Sequence, residues 1–427
     1  MRARLPPRPV VSWALYDWAN SAFATTVMAG FFPIFFTRYW SAGEEVTETG
    51  WRLSLANSIA GAVVALSSPL LGAIADAMGR RKGMLFVFTS LGVVMTASLS
   101  LIERGEWPAA AWMYALAVIG FSGGMTFYDA LLSGVTTTER SDRTSAFGYA
   151  AGYLGGGILF LVNVLMYLHP SWFLLPDPET AVRVAFASVA VWWAVFALPL
   201  FLFVPEPARD AAAPPAAGRA VAEGVRRLVR TFREVRRRRT LFVFLIAYWL
   251  YIDGLDTIVR MAVYYGESLS LPSSSLITAL LVTQFVGFPA TLVFGRLGER
   301  IGAKNGILIG LAVYGSVTVF GAFITTAAEF YALAVVIGLV QGAVQALSRS
   351  LFLRLVPAGR EAQFYGFYNM LGKFAVVLGP VLMGAVGKLS GSPRAGILAV
   401  LALFVSGAIL LARVDVERGR REAVEHP

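Results

Sequence analysis

The chain has 427 residues, 57% of them hydrophobic and 15% charged, a balance that excludes an ordinary soluble globular protein of this length. With no cysteine, disulfides and thiolate chemistry are excluded, and with only His169 and His426, both outside apolar runs, so are a buried histidine relay and a histidine metal cluster. The net charge of +10 does not form a nucleic-acid-binding face, because the cations gather in every second connection between apolar runs.

Met1–Pro9 is basic and proline-rich, but the apolar run behind it is too long for a signal peptide and has no small-residue cleavage site. A spanning helix needs about 20 mostly apolar residues. That rule gives about twelve runs: 11–38, 52–77, 83–102, 109–137, 145–168, 183–204, 241–266, 274–297, 304–325, 329–355, 363–387 and 394–413. The first connection carries Glu44, Glu45 and Glu48, whereas the even-numbered ones are basic: Arg80, Arg81 and Lys82; Arg140 and Arg143; Arg296, Arg300 and Lys304; Arg354 and Arg360. Both termini are therefore expected in the cytoplasm, with the eleventh connection (Lys388, Arg394) a mild exception.

The longest connection, 205–240, divides the chain into a bundle over 1–204, a second over 241–413 and a cytoplasmic tail over 414–427. Pro205–Gly218 reads as a loose Ala/Pro-rich linker. Beyond it, Val221, Val225, Leu228, Phe232 and Val235 recur at helical spacing among arginines. This is either an amphipathic helix on the membrane surface, attracted to anionic lipid, or a solvated linker helix with a topogenic charge run.

Gly72–Lys82 closes one apolar run and opens the next, with Asp76 at the apolar edge and cations in the break. Gly295, Glu299, Gly302 and Lys304 match Gly72, Asp76, Gly79 and Arg81 at an offset of about 223 residues, so a helical pair occurs twice. Gly120, Gly124 and Gly148 likewise match Gly338, Gly342 and Gly366 at about 218. The expected fold is an all-α polytopic membrane protein of twelve transmembrane helices in two six-helix pseudo-repeats. Glycines four apart, Gly152/Gly156 among them, open helix faces to close approach, while Pro33, Pro69, Pro289 and Pro380 mark bends.

An ionised side chain at bilayer depth costs at least about 2.5–3.5 kcal/mol, so it needs a partner or a wet cavity. The candidates are Asp17, Asp129, Asp253, Asp256, Arg260, Arg349 and Lys373, four acids against three bases. Asp256–Arg260 has the spacing of an ion pair, and Arg349, near a helix end, could reach the interface. Asp17 and Asp129 have no cation close in sequence; they are the candidates for proton or substrate-amine contact, and Lys373 could neutralise a carboxylate. Polar stripes accompany them: Gln341, Gln345 and Arg349 on one helix, Tyr365, Asn369 and Lys373 on the next, with Asn20 behind Asp17 and Gln284 mid-way along the eighth run. Together they predict a polar aqueous cavity, with Tyr16, Tyr128, Tyr153 and Trp18 as packing or as aromatic walls. Asp76, Arg80 and Arg81 in the repeated motif read as a charge-and-dipole latch to a neighbouring helix, or as topogenic charge on a tight turn.

Gly72-x3-Asp76-x2-Gly79-Arg80-Arg81, with its weaker repeat at Gly295–Lys304, resembles the loop signature of the major facilitator superfamily. Tyr16-Asp17-Trp18-Ala19-Asn20-Ser21-Ala22, Asp253-Gly254 with Ile258–Ala262, and Gln345–Ser350 resemble the bacterial group related to the fungal vacuolar amino-acid effluxer. That resemblance implies a secondary transporter, exporting amino acids or related solutes, in a bacterial-type cytoplasmic membrane.

The expectation is a monomeric alternating-access carrier for a small polar or zwitterionic solute, coupled to protons or another ion, with no cofactor and no metal. The rival is a transporter-like sensor or scaffold that binds a solute without turnover. An enzyme is not expected: there is no His/Glu zinc pattern, no convincing serine–lysine pair and no nucleotide-binding glycine loop.

Overall fold

The computed structural model describes residues 6–43, 67–76, 78–206, 232–268, 273–374 and 378–425, with single residues 52, 59, 61, 63, 64 and 230. Among them the chain is helix joined by short turns, as a backbone in lipid requires: with no water to bond, each N–H and C=O must be satisfied within its own segment. The helices, in chain order, are α1 (Arg8–Trp40), α2 (67–76), α3 (Arg81–Leu99), α4 (Trp107–Ala130), α5 (Ser141–Leu168), α6 (Pro178–Phe203), α7 (Arg239–Ser268), α8 (Ser273–Ile301), α9 (Ala303–Gly321) and α10 (Ala327–Leu355). Then come α11 in two pieces (Glu361–Phe374 and Leu378–Ser390), α12 in two (Pro393–Ala399 and Leu401–Ala412), and a tail helix α13 (Val416–Glu425).

Ten helices among the described residues are long and apolar enough to cross a membrane. Of the twelve expected runs, 52–77 is described only in part, and 363–387 is divided at 375–377, which lie outside the described residues. Pro289 lies inside α8 and Pro199 inside α6, and in α1 π-helical turns over Phe23–Phe31 and Phe36–Trp40 flank the short segment that holds Pro33.

Glycine decides where helices meet. On α5, a Cβ built on Gly148 would lie 2.7 Å from the Trp13 ring and 2.9 Å from the Asp17 carboxylate, and one on Gly155 would meet the Trp18 ring at 2.6 Å. α1 therefore lies directly on α5. α1 also packs on α6, and α3 on α4 and α6; α7 packs on α12, α8 on α10, and α9 on α10 and α12. α5 crosses to α8 and α10, and α4 meets the first piece of α11. Those last contacts form a seam, and the buried charges sit in it.

The 205–240 connection, read as either a membrane-surface helix or a solvated linker helix, is described mainly at its two ends. Residues 207–229, with Val221, Val225 and Leu228, lie outside the described residues. Beyond them Val235 is buried against the protein while Phe232 is 60% exposed, so the predicted apolar stripe is divided. Glu234 pairs with Arg238 one turn on and with Arg360 at 2.8 Å, tying this connection to the one between α10 and α11.

Candidate functional site

Arg349, in the last third of α10, has no exposed surface, so a guanidinium there must spend every donor inside the protein. Nη1 lies 3.1 Å from Asp129 Oδ1 on α4 and 3.5 Å from Asp17 Oδ2 on α1. Nε donates to Ser145 Oγ at 2.8 Å and Nη2 to the Ser145 carbonyl at 2.9 Å, both on α5. The Tyr128 hydroxyl donates to Asp17 Oδ2 at 2.8 Å, and Asn369 Nδ2 on α11 donates to Asp129 Oδ2 at 3.2 Å. Aromatic rings complete the enclosure: the guanidinium carbon lies 4.3 Å from the Tyr149 ring centre and 4.8 Å from that of Trp13, and Trp13 stacks on Tyr128 at 4.6 Å.

Two carboxylates share one guanidinium, which leaves one negative charge in excess when both are ionised. A buried charge without a partner costs several kcal/mol, so one added proton brings the cluster to neutrality. The cluster joins sequence positions 332 and 220 residues apart.

Several expectations change here. Asp17 and Asp129 were expected on a wet hollow; they are 4% and 3% exposed and close on Arg349, because the enclosing rings fill the space. Arg349 does not reach the interface. Asn20 Nδ2 donates to the Met125 sulfur at 3.1 Å and the Tyr16 hydroxyl bonds Thr89 Oγ1 at 2.8 Å, so both turn into the α3–α4 side instead of toward Arg349. Asp253 accepts from the backbone N–H of Leu378 at 3.1 Å and of Gly379 at 2.9 Å, so its carboxylate is engaged by the backbone of α11. Asp256, Gln284, Gln341, Gln345 and Asn369 are half-buried. The side chains of Arg260 and Lys373 lie outside those described, so neither the expected Asp256–Arg260 pair nor the neutralising role of Lys373 is visible.

The repeated motif forms a second contact across the same seam. Arg81 Nε lies 2.8 Å from Asp76 Oδ1 and Nη2 lies 2.7 Å from Glu361 Oε2, while Asp76 Oδ2 accepts from the Gln363 N–H at 2.8 Å. Gly72 is where the helices touch: a Cβ there would collide with the backbone of Ala362. Arg80 is exposed, and Arg81 alone makes the ion pairs.

The weaker copy works differently. Gly79 and Gly302 both take positive φ, 61° and 84°, but Gly302 is itself the N-cap of α9, whereas Gly79 stands one residue before the N-cap Arg80 of α3. Glu299 is exposed, and among the described residues no hydrogen bond or ion pair engages it. Lys304 Nζ bonds the carbonyls of Ala412 (2.7 Å) and Val414 (2.8 Å) at the end of α12. Its structural counterpart is Lys82, whose Nζ bonds the Val204 carbonyl at the end of α6 at 2.6 Å, and not Arg81. Gly295 packs on Ala146 of α5, and there Asp142 supplies the acid, 2.7 Å from Arg354 Nη2 and bonded by the Ser350 hydroxyl.

Ser145, Tyr149, Asp142 and Glu361 carry no mark in the sequence, and Arg354 reads there only as a topogenic charge. Glu361 and Asp142 each stand in the first turn of a spanning helix, a position where acids are common for local reasons and carry no mark of a distant partner.

Comparison with known proteins fits this geometry. The chain is 36% identical to the MFS-type transporter YxiO of Bacillus subtilis (strain 168), over 95% of this chain and 94% of that protein. It is 29% identical to autophagy-related protein 22 of Cryptococcus neoformans over 71% of this chain, and there spans only 57% of the fungal protein. The human organic anion transporter MFSD10 (TETRAN) superposes with a TM-score of 0.74 at 16% identity, covering 95% of this chain and 100% of that one. The proton:xylose symporter XylE superposes with a TM-score of 0.68 at 12% identity, over 98% and 97%. YxiO and the two structural neighbours are transporters, not enzymes. A profile of the family described as "Vacuole effluxer Atg22 like" matches residues 42–138 and 133–424: the chain belongs to that family and is a membrane transporter of the major facilitator type.

Proposed function

We propose that the protein is a proton-coupled carrier exporting amino acids or related zwitterionic metabolites across a bacterial-type cytoplasmic membrane by alternating access. Two six-helix halves, 1–204 and 241–413, rock about the seam, linked by 205–240, with 414–427 as a cytoplasmic tail. The observation that carries this reading is Arg349 of the second half shared by Asp17 and Asp129 of the first. The first proton brings the cluster to neutrality with one carboxylate still on Arg349, and a second leaves the guanidinium without an anionic partner across the seam, so proton uptake and opening toward the cytoplasm are linked.

Asp76, Arg81 and Glu361 act in parallel as the latch. The solute site involves the half-buried Asp256, Gln284, Gln341, Gln345 and Asn369, together with Arg260 and Lys373. Two buried polar atoms support a polar ligand: Gln341 Oε1 and the Tyr314 hydroxyl have no hydrogen-bond partner, a condition a bound solute would relieve.

The test is amino-acid flux in proteoliposomes under an imposed pH gradient. Gradient-driven flux in the wild type, abolished in Asp17→Asn or Asp129→Asn while gradient-independent exchange persists, supports the reading. Unchanged driven flux in both variants refutes proton coupling at this cluster, and saturable solute binding with no flux would favour the sensor.

A further inference from the structure

The arginine pair Arg239 and Arg413 marks a site that solute transport does not use. Arg239 opens α7 and Arg413 follows the end of α12, so both stand where an apolar span meets the membrane surface. Between them is a cavity of about 250 Å³, against ~30 Å³ for one water, floored by Val243 and Leu410 and rimmed by both arginines, Asp415 and Arg418. Arg418 is paired with Glu422 at 2.9 Å, and Asp415 accepts from the Arg418 backbone N–H at 3.0 Å. Among the described residues, no hydrogen bond or ion pair engages the guanidinium of Arg239 or of Arg413. Two guanidiniums therefore face one cavity with a single carboxylate, already bonded, beside them.

The first half supplies an internal comparison. Its corresponding corner lies between the start of α1 and the end of α6. There the guanidinium of Arg8 stacks 3.6 Å from the centre of the Phe203 ring, so the charge is spent on an aromatic face. In the second half the end of α12 offers no such ring, and a cation stands there instead.

Beneath the charges the outer surface is apolar. Ile409 and Val405 lie one and two helical turns below Arg413 and are 50% and 49% exposed, and Phe242, one turn from Arg239, is 42% exposed. Cations above an apolar stripe at the membrane surface match one chemistry, an anionic phosphate headgroup with an acyl chain below it.

We propose that Arg239 and Arg413 form a binding site for the phosphate of an anionic phospholipid, with its acyl chain along Ile409, Val405 and Phe242. The lipid would join α7 and α12 beside the tail helix, distant from the Arg349 seam, so this assignment stands or falls apart from the transport mechanism.

The full chain is reconstituted in phosphatidylcholine nanodiscs titrated with phosphatidylglycerol, and bound lipid is read by native mass spectrometry. Arg239→Ala/Arg413→Ala should lower apparent phosphatidylglycerol affinity by about tenfold or more. Arg239→Lys/Arg413→Lys should keep most of it, and Arg421→Ala, an exposed tail cation outside the cavity, should change nothing. An unaltered melting temperature in pure phosphatidylcholine establishes that the alanine variant is folded. Equal phosphatidylglycerol retention by the folded alanine variant overturns the proposal. So does full displacement of the lipid by soluble glycerol phosphate, which would make this a site for a free phosphate.

Discussion

Arg349 is held by more groups than a salt bridge requires. Two carboxylates, one hydroxyl and one carbonyl accept from it, and no part of it reaches the surface. Arg349→Ala leaves the carboxylates facing each other in a dry space and should cost about 3–5 kcal/mol of stability, read as thermal unfolding in detergent. Lysine cannot replace it, because one ammonium cannot span the fork that reaches both Ser145 and Asp129. The aspartates predict a less intuitive result. Asp17→Asn or Asp129→Asn removes the excess negative charge and leaves one carboxylate for one guanidinium, so each single variant should be no less stable than wild type. The double variant strands the guanidinium and should lose about 3–5 kcal/mol, a non-additivity that a double-mutant cycle measures directly. Additive losses would mean that the two carboxylates do not share Arg349.

At the scale of elements, the duplicated motif separates into a part that repeats and a part that does not. The turn glycines Gly79 and Gly302 repeat, and so do the lysines that cap a later helix three elements on, Lys82 of α3 at the end of α6 and Lys304 of α9 at the end of α12. Each lysine satisfies carbonyls at a helix C-terminus, where a cation also complements the dipole. Lys82→Ala and Lys304→Ala should each lower stability by about 1 kcal/mol with flux unchanged, seen as a modest shift in unfolding temperature. The Asp76–Arg81–Glu361 contact occurs in one copy among the described residues. Arg81→Ala should free α2 from α11 and widen the seam. Spin labels at Glu139→Cys and Ala358→Cys, exposed positions on either side of it in a chain without native cysteine, should report a longer distance by electron–electron resonance. An unchanged distance would leave the motif as topogenic charge on a tight turn. Gly148→Ala should do comparable damage from α5, since its methyl group has no room between Trp13, Asp17 and Arg349.

For the whole molecule, the arrangement is a seam closed by charge at two levels, the Arg349 cluster within the bundle and the Arg81 and Arg354 pairs at the ends of the helices. Acidification first neutralises the excess charge of the carboxylate pair, and a second proton leaves Arg349 without an anionic partner, so the same spin-label distance should lengthen as pH falls. In Asp17→Asn/Asp129→Asn the Arg349 cluster no longer titrates, so only the part of the pH dependence carried by Asp76, Glu361 and Asp142 should remain; a wild-type distance that ignores pH would remove the link between proton uptake and opening.

The amino-acid sequence by itself determined the membrane-spanning character, the duplicated helical pair and the family, because apolar run length and glycine–acid–glycine–cation spacing are local properties of the chain. It also identified Asp17, Asp129 and Arg349 as individually costly in lipid, with Asn369 on an accompanying polar stripe. What it could not contain was their pairing: Arg349 and Asp17 are 332 residues apart, and an ion pair across a bundle leaves no periodicity to detect. The same holds for Asp253, legible as a buried acid yet bonded to the backbone N–H groups of Leu378 and Gly379, and for Lys304, aligned to Arg81 by count but matched to Lys82 by contact. Cost is set by a residue and its immediate surroundings, whereas partnership is set by how helices cross, and only the tertiary structure fixes that.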